Sequence, residues 1–333
     1  MKTKFFFLSL LLCSTLSFSQ TVIRVKSGEK IQNIIDNVNT PAGSILLLDP
    51  GNYDGFIVLK RVSIIGSGFF NGNNTSTITD DLTFGKNANN SSDNSLIMGC
   101  NVSRINVNTD NISIIRCRAF TGTNGIIIGA SNCKIIQSFV DNNIDFNQLA
   151  SNFKITNCIV LGAISTSVLT QTITGKITFN TVGANQTNCV GVSFSGNFNK
   201  PIDISNNIFL STINCNNDNG GQNYRTDFYA KFNNNIVRKG NYQSTDVSNK
   251  FLTDMTTLFT NTGTSPDSKY LLSATSPAKG AGEGGTDCGA FGGTEPYIIG
   301  GTPLGPIIED LQVPSTARQN EVIKIKLKAK VQN

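Results

Sequence analysis

The chain has 333 residues, a formal net charge of +5, and neither histidine nor tryptophan. Without histidine it lacks the commonest general base, the usual activator of serine and cysteine nucleophiles, and the commonest metal ligand. Ser-His-Asp, Cys-His and His-zinc chemistry are excluded, and the charge is too mild to imply a nucleic-acid partner.

The first element is a leader. Lys2 and Lys4 precede an apolar run, Phe5–Leu12, and then small and polar residues ending Ser17-Phe18-Ser19-Gln20. That order predicts a signal peptide over residues 1–19, cut after Ser19. The run is too short for a stable membrane span. A lipoprotein signal at Cys13 is the rival, but Leu12 stands where a small residue is usual. No later segment approaches eighteen apolar residues, so the mature chain is expected to carry no transmembrane segment and to be extracellular, cell-surface or periplasmic. Cleavage leaves about 314 residues with 25 basic and 22 acidic side chains, a charge of +3. Seven cysteines remain: Cys100, Cys117, Cys133, Cys158, Cys189, Cys215 and Cys288. The number is odd, and no spacing resembles a disulfide framework or a metal site.

Ile31, Ile34, Ile35 and Val38 lie at helical spacing behind Ser27, a candidate cap, and predict a short amphipathic helix. Ser44–Leu48 reads as a buried strand, Pro50-Gly51 as a turn and Phe56–Leu59 as the next strand. Asp80-Asp81 reads as part of a solvated polar loop.

From there the chain repeats. Ala130-Ser131-Asn132-Cys133-Lys134-Ile135 recurs as Ala150-Ser151-Asn152-Phe153-Lys154-Ile155. Six eight-residue segments align: Ile112–Ala119, Cys133–Val140, Phe153–Val160, Gly175–Val182, Ile202–Phe209 and Ala230–Val237. Val62–Phe69 and Ser95–Val102 are weaker members. The third position is Ile114, Ile135, Ile155, Ile177, Ile204 and Phe232. The sixth is Cys117, Ser138, Cys158, Asn180, Asn207 and Asn235, at spacings of 21, 20, 22, 27 and 28 residues. Short β-branched runs are strands. A twenty-odd-residue unit cannot bury its own apolar face, but stacked coils can. Rungs about 4.8 Å apart would stack sixth-position amides into a hydrogen-bonded column, with cysteine and serine in the same inward slot. Cys117 and Cys158 would stand two rungs apart, about 9.6 Å, beyond disulfide reach.

The second repeat position holds Lys134, Lys154, Lys176 and Lys231, with Asp203 interrupting. Alternation turns this position outward, making a basic stripe. An acidic polysaccharide would fit it, although every coil needs solvated outward residues and lysine is an ordinary choice. Asn214–Asp227 is the longest irregular stretch within the repeats and carries Asp218, Arg225 and Asp227. An arginine between two carboxylates suits either a catalytic base or an ion pair that pins a loop. Asp141 and Asp145 form a second acidic pair in a turn-rich stretch. No calcium-loop signature is present.

Residues 298–306, rich in glycine and proline, read as a linker. Ile307–Val313 and Glu321–Val331 then predict a hairpin over 307–333. In its second strand Lys324, Lys326, Lys328 and Lys330 alternate with apolar residues. A lone hairpin is marginal, so this one is expected to dock on the preceding domain or on an envelope partner.

The stretch IQNIIDNVNTPAGSILLLDPGNYDGFIVLKRVSIIGSG (Ile31–Gly68) resembles the N-terminal cap and first coils of the pectin-lyase-like β-helix superfamily. SPAKGAGEGGTDCGAFGG (Ser276–Gly293) resembles the closing segment of secreted β-helix repeat proteins of Bacteroidetes-type bacteria. With the coils, the resemblance spans roughly residues 22–297. It implies an all-β, right-handed parallel β-helix over residues 20–297, with a capping helix. Its members include lyases, hydrolases, adhesins and chains of no known activity, so the fold alone does not set function. The expected function is a noncatalytic exported scaffold that binds polysaccharide or an envelope protein. The alternatives are a polysaccharide lyase with Arg225 or a lysine as base, aided by Ca2+ as the lyase-like members often are, and an envelope assembly subunit docking through its C-terminal strand.

Overall fold

The computed structural model describes residues 20–122, 124–147, 150–166, 173–183, 192–194, 200–211, 229–238, 247–303, 306–312, 322 and 325–331. The expected signal peptide, Cys189, Cys215, and the Asn214–Asp227 stretch with Asp218, Arg225 and Asp227 lie outside these residues.

The repeats form parallel strands, stacked coil upon coil, in an all-β solenoid of the parallel β-helix kind. The described residues build one ten-stranded and one fifteen-stranded sheet. A typical coil contributes three strands, as in Lys134–Ile136, Phe139–Val140 and Asn143–Phe146. The first joins the ten-stranded sheet and the other two join the larger one. The third repeat position sets the register. Leu46, Ile64, Ile97, Ile114, Ile135, Ile155, Ile177, Ile204 and Phe232 pair in unbroken succession along the ten-stranded sheet. All nine are buried. Full burial of each such side chain contributes about 1.5–3 kcal/mol. A one-residue slip would turn the column outward, so this apolar file fixes the stacking.

The fifth position makes a corner. Gly99, Arg116, Gln137, Asn157, Phe179, Asn206 and Asn234 all have φ between 50° and 64°. Glycine and asparagine tolerate this left-handed backbone, whereas other residues pay for it. Surrounding contacts hold the less suited ones: Arg116 Nε donates to Gln137 Oε1 at 2.7 Å and Nη1 to Thr302 O at 2.9 Å.

The sixth position forms the interior ladder. The Nδ2 atoms of Asn180, Asn207 and Asn235 each donate to the Oδ1 of the next asparagine at 3.0 Å, ending on Asn249. Each accepting oxygen also takes the backbone N–H of the preceding ladder residue, at 2.9–3.0 Å. Earlier in the column Cys100, Cys117 and Cys158 are buried free thiols, and Ser138 Oγ accepts from Cys117 N at 3.2 Å. Burial pushes the Cys117 and Cys158 thiols up to about 12.

The segment after the last coil turns back. It meets one corner after another in descending order. Cys288 Sγ donates to Asn234 O, Gly289 N to Asn206 O, and Asn157 Nδ2 to Ala290 O and Gly292 O. Gln137 Nε2 donates to Glu295 O and Pro296 O, and Phe69 N to Gly300 O. This C-terminal strap covers outward-facing apolar residues of the larger sheet. Phe139 and Ile159 pack with Ala290 and Tyr297, while Ile208 and Ile236 pack with Met255, Leu258 and Ala278. Ile299–Gly301, within the expected linker, is a 3-10 turn fastened by Gly300 N to Asp267 Oδ2 at 2.7 Å.

Three local expectations are corrected. The helix spans Ile31–Asp36 and begins after Lys30 with no side-chain cap; Ile31 and Ile35 are buried, but Val38 lies beyond the helix, 92% exposed. Gly51 opens a strand, Gly51–Tyr53. Asp81 stands in the Ser76–Phe84 strand with its carboxylate gripped by Arg104, so it is not in a free loop. The C-terminal hairpin pairs Pro306–Gln312 antiparallel with Lys326–Val331 as a two-stranded sheet of its own, with Ile325 59% exposed.

Candidate ligand-binding face

The outer face of the ten-stranded sheet carries three columns, two residues apart along each strand. The middle column is the lysine stripe. Register places Ser113, Lys134, Lys154, Lys176, Asp203 and Lys231 on successive strands. On one side run the left-handed corner residues Asn94, Asn111, Asn132 and Asn152, all exposed. On the other stand Ile115, Ile136, Thr156 and Thr178, whose two threonine hydroxyls meet at 3.1 Å.

The stripe is less basic than its composition indicates. Lys231 Nζ lies 2.9 Å from Glu283 Oε2, and Lys154 Nζ lies 4.0 Å from Glu295 Oε2. Both carboxylates belong to the strap. Asp203 lies in register between Lys176 and Lys231. From Lys154 onward the column thus brings three ammonium groups beside three carboxylates.

Towards the N-terminal coils the same face opens into a groove of about 670 Å³, lined by the four asparagines with Ser95, Leu96, Ser113, Ile115 and Lys134. Asn152 Nδ2 donates to Asn132 Oδ1 at 2.8 Å. The side-chain amides of Asn94 and Asn111 have no hydrogen-bond partner among the described residues. The groove therefore combines amide donors and acceptors, one cation and two aliphatic side chains.

The other acidic candidates are drawn into structural contacts. Arg118 Nη2 lies 2.5 Å from Asp141 Oδ2 and sits over the Phe70 ring. Asp145 is half-buried, which holds its pKa above the usual carboxylate range, and it accepts from Ser165 Oγ at 3.3 Å. Among the described residues no group of three or more Cys, Asp or Glu side chains is arranged to hold a metal ion. No helix there is long and apolar enough to cross a membrane.

Sequence reasoning found the lysines and missed both their counter-ions and the asparagine column. The asparagines had a signal, since Asn132 and Asn152 close the two copies of the Ala-Ser-Asn tripeptide. Glu283 and Glu295 had none, because they reach their partners only through the path of the strap. No family model, curated protein or solved structure matches the chain.

Proposed function

We propose that the chain is an exported, right-handed parallel β-helix of the pectin-lyase-like kind, closed at one end by the Ile31–Asp36 helix, that binds a polysaccharide without transforming it. The observation that supports this reading is the open groove of about 670 Å³, lined by Asn94, Asn111, Asn132, Asn152, Leu96 and Lys134 on the rungs of the ten-stranded sheet. Rungs repeat every ~4.8 Å, close to the length of one pyranose unit in an extended glycan. A solenoid can therefore offer an equivalent set of groups to each successive sugar.

The test is retention of the mature protein, residues 20–333, on immobilised neutral and acidic polysaccharides, with product analysis of the bound glycan. Binding that leaves chain length unchanged supports the scaffold reading. Release of unsaturated, ultraviolet-absorbing products would make the protein a lyase. Capture of an envelope protein through residues 306–331, with no glycan retained, would replace it with the assembly reading.

A further inference from the structure

We infer that the ligand of this face is a neutral, hydroxyl-rich glycan seated in the asparagine groove, rather than an acidic polymer on the lysine stripe. The inference rests on the polysaccharide-binding reading above and narrows it. Two independent observations carry it.

The first is the electrostatics of the stripe. An acidic polymer needs uncompensated cations at a regular pitch. From Lys154 onward the column is supplied with its own anions: Glu295 at 4.0 Å from Lys154, Glu283 at 2.9 Å from Lys231, and Asp203 in register beside Lys176. Glu283 and Glu295 are fixed in place by the strap backbone. Glu283 N donates to Asn206 Oδ1 at 2.8 Å, and Glu295 O accepts from Gln137 Nε2 at 3.1 Å. An entering polyanion would have to displace these carboxylates or share their lysines. Such exposed pairs are individually weak, but together they cancel the long-range field that would attract a polyanion.

The second is the chemistry of the groove. The asparagine column offers an amide per coil, and each amide presents both a donor and an acceptor. Sugar hydroxyls need that combination, whereas a carboxylate can only accept. Asn94 and Asn111 have their amide side chains exposed at the groove and unengaged among the described residues. Leu96 and Ile115, both half-buried, line the same groove and offer an aliphatic surface to the C–H face of a pyranose. Lys134 is the groove's cation, and its ammonium group can also donate to neutral hydroxyls.

The experiment measures binding of the mature protein to soluble β-glucan, α-mannan and galactan, and to a polyuronate of similar length, at about 0.05 M and about 0.5 M salt, where screening lengths fall from roughly 14 to 4 Å. Two variants accompany the wild type. In Asn111→Gly/Asn132→Gly the amides are removed while glycine keeps the left-handed corners unstrained. In Lys154→Gln/Lys176→Gln the stripe loses charge outside the groove. The expected result is that at least one neutral glycan binds with little salt dependence. Its affinity should fall roughly tenfold or more in the glycine variant, as expected for the loss of two or more hydrogen bonds, and hold in the glutamine variant. Binding confined to the polyuronate, lost in high salt and in the glutamine variant, would overturn the inference and leave the polysaccharide reading standing. Failure to bind any of the four polymers would overturn both. Unchanged thermal unfolding of the glycine variant separates loss of binding from loss of fold.

Discussion

The two halves of the interior ladder solve one packing problem with different chemistry. From Cys100 to Cys158 the sixth-position slot is filled by thiols and one hydroxyl, whose links along the column are single weak hydrogen bonds such as Ser138 N to Cys158 Sγ at 3.5 Å. From Asn180 to Asn249 it is filled by amides: Asn180 and Asn207 each clasp the next asparagine and two backbone carbonyls, and Asn235 clasps Asn249 and one carbonyl. Asn207, for example, donates to Ile177 O at 2.9 Å, Ser205 O at 3.0 Å and Asn235 Oδ1 at 3.0 Å. Coil length differs as well. From Cys117 to Asn180 the sixth position recurs every 20–22 residues, and from Asn180 to Asn235 every 27–28, while the end spacings, Cys100 to Cys117 and Asn235 to Asn249, are 17 and 14. The apolar file runs through short and long coils alike. Longer coils carry extra chain between rungs, and there the asparagine clasp adds to the register. The lesson is that a buried polar column adds a second register signal to the apolar file where many residues separate successive rungs, as from Asn180 to Asn235.

Alkali should separate the halves most strongly. Cys117 and Cys158 hold their protons to about 12, against an ordinary value of 9.0. A raised acid pKa stabilises the fold fully below the unfolded value and loses that contribution as pH climbs towards the folded one. Stability should therefore drop between about pH 9 and 12, by about 1.4 kcal/mol per pH unit for each thiol. Thermal unfolding at pH 8 and pH 10.5 checks this. Cys117→Ala/Cys158→Ala should show a shallower decline than wild type, and an equal slope would refute the assignment. Next in size, Asn207→Ala should cost about 3 kcal/mol, because it strands buried partners on both neighbouring rungs; denaturant unfolding measures it. Cys158→Ala should cost about 1–2 kcal/mol, a modest cavity with weak bonds lost. Ser138→Ala should cost about 1 kcal/mol or less. If Ser138→Ala proved as damaging as Asn207→Ala, the two halves would not differ in the way described.

Much of the coil architecture was legible because its causes are local and periodic. Ile114, Ile135 and Ile155 announce an inward column by spacing alone, and the sixth-position residues announce the ladder. The corners went unread, and they lie one residue before the ladder. Asparagine at 157, 206 and 234 suits a left-handed backbone, but Arg116, Gln137 and Phe179 adopt it without any intrinsic preference, under contacts the rest of the chain imposes. The strap was the least legible element. Its partners lie far off in sequence, as when Asn157 bonds Ala290 and Gly292, and no short-range pattern encodes such a path. The lysine stripe was correctly placed on one face, yet its electrostatic character could not be read until the strap brought Glu283 and Glu295 to it.

The route of the strap also orders events in time. Coils can stack as they are synthesised, each on the one before, since their contacts span only 20–30 residues or so. Phe139, Ile159, Ile208 and Ile236 also need cover from residues between Met255 and Tyr297, which emerge after the coils. Until those residues arrive, a half-made molecule has a finished interior and a greasy flank. A nascent chain stalled before residue 255 should thus be a soluble-looking solenoid prone to self-association, the kind of intermediate that recruits chaperones. Arrival of the strap converts that flank from a liability into a sealed seam.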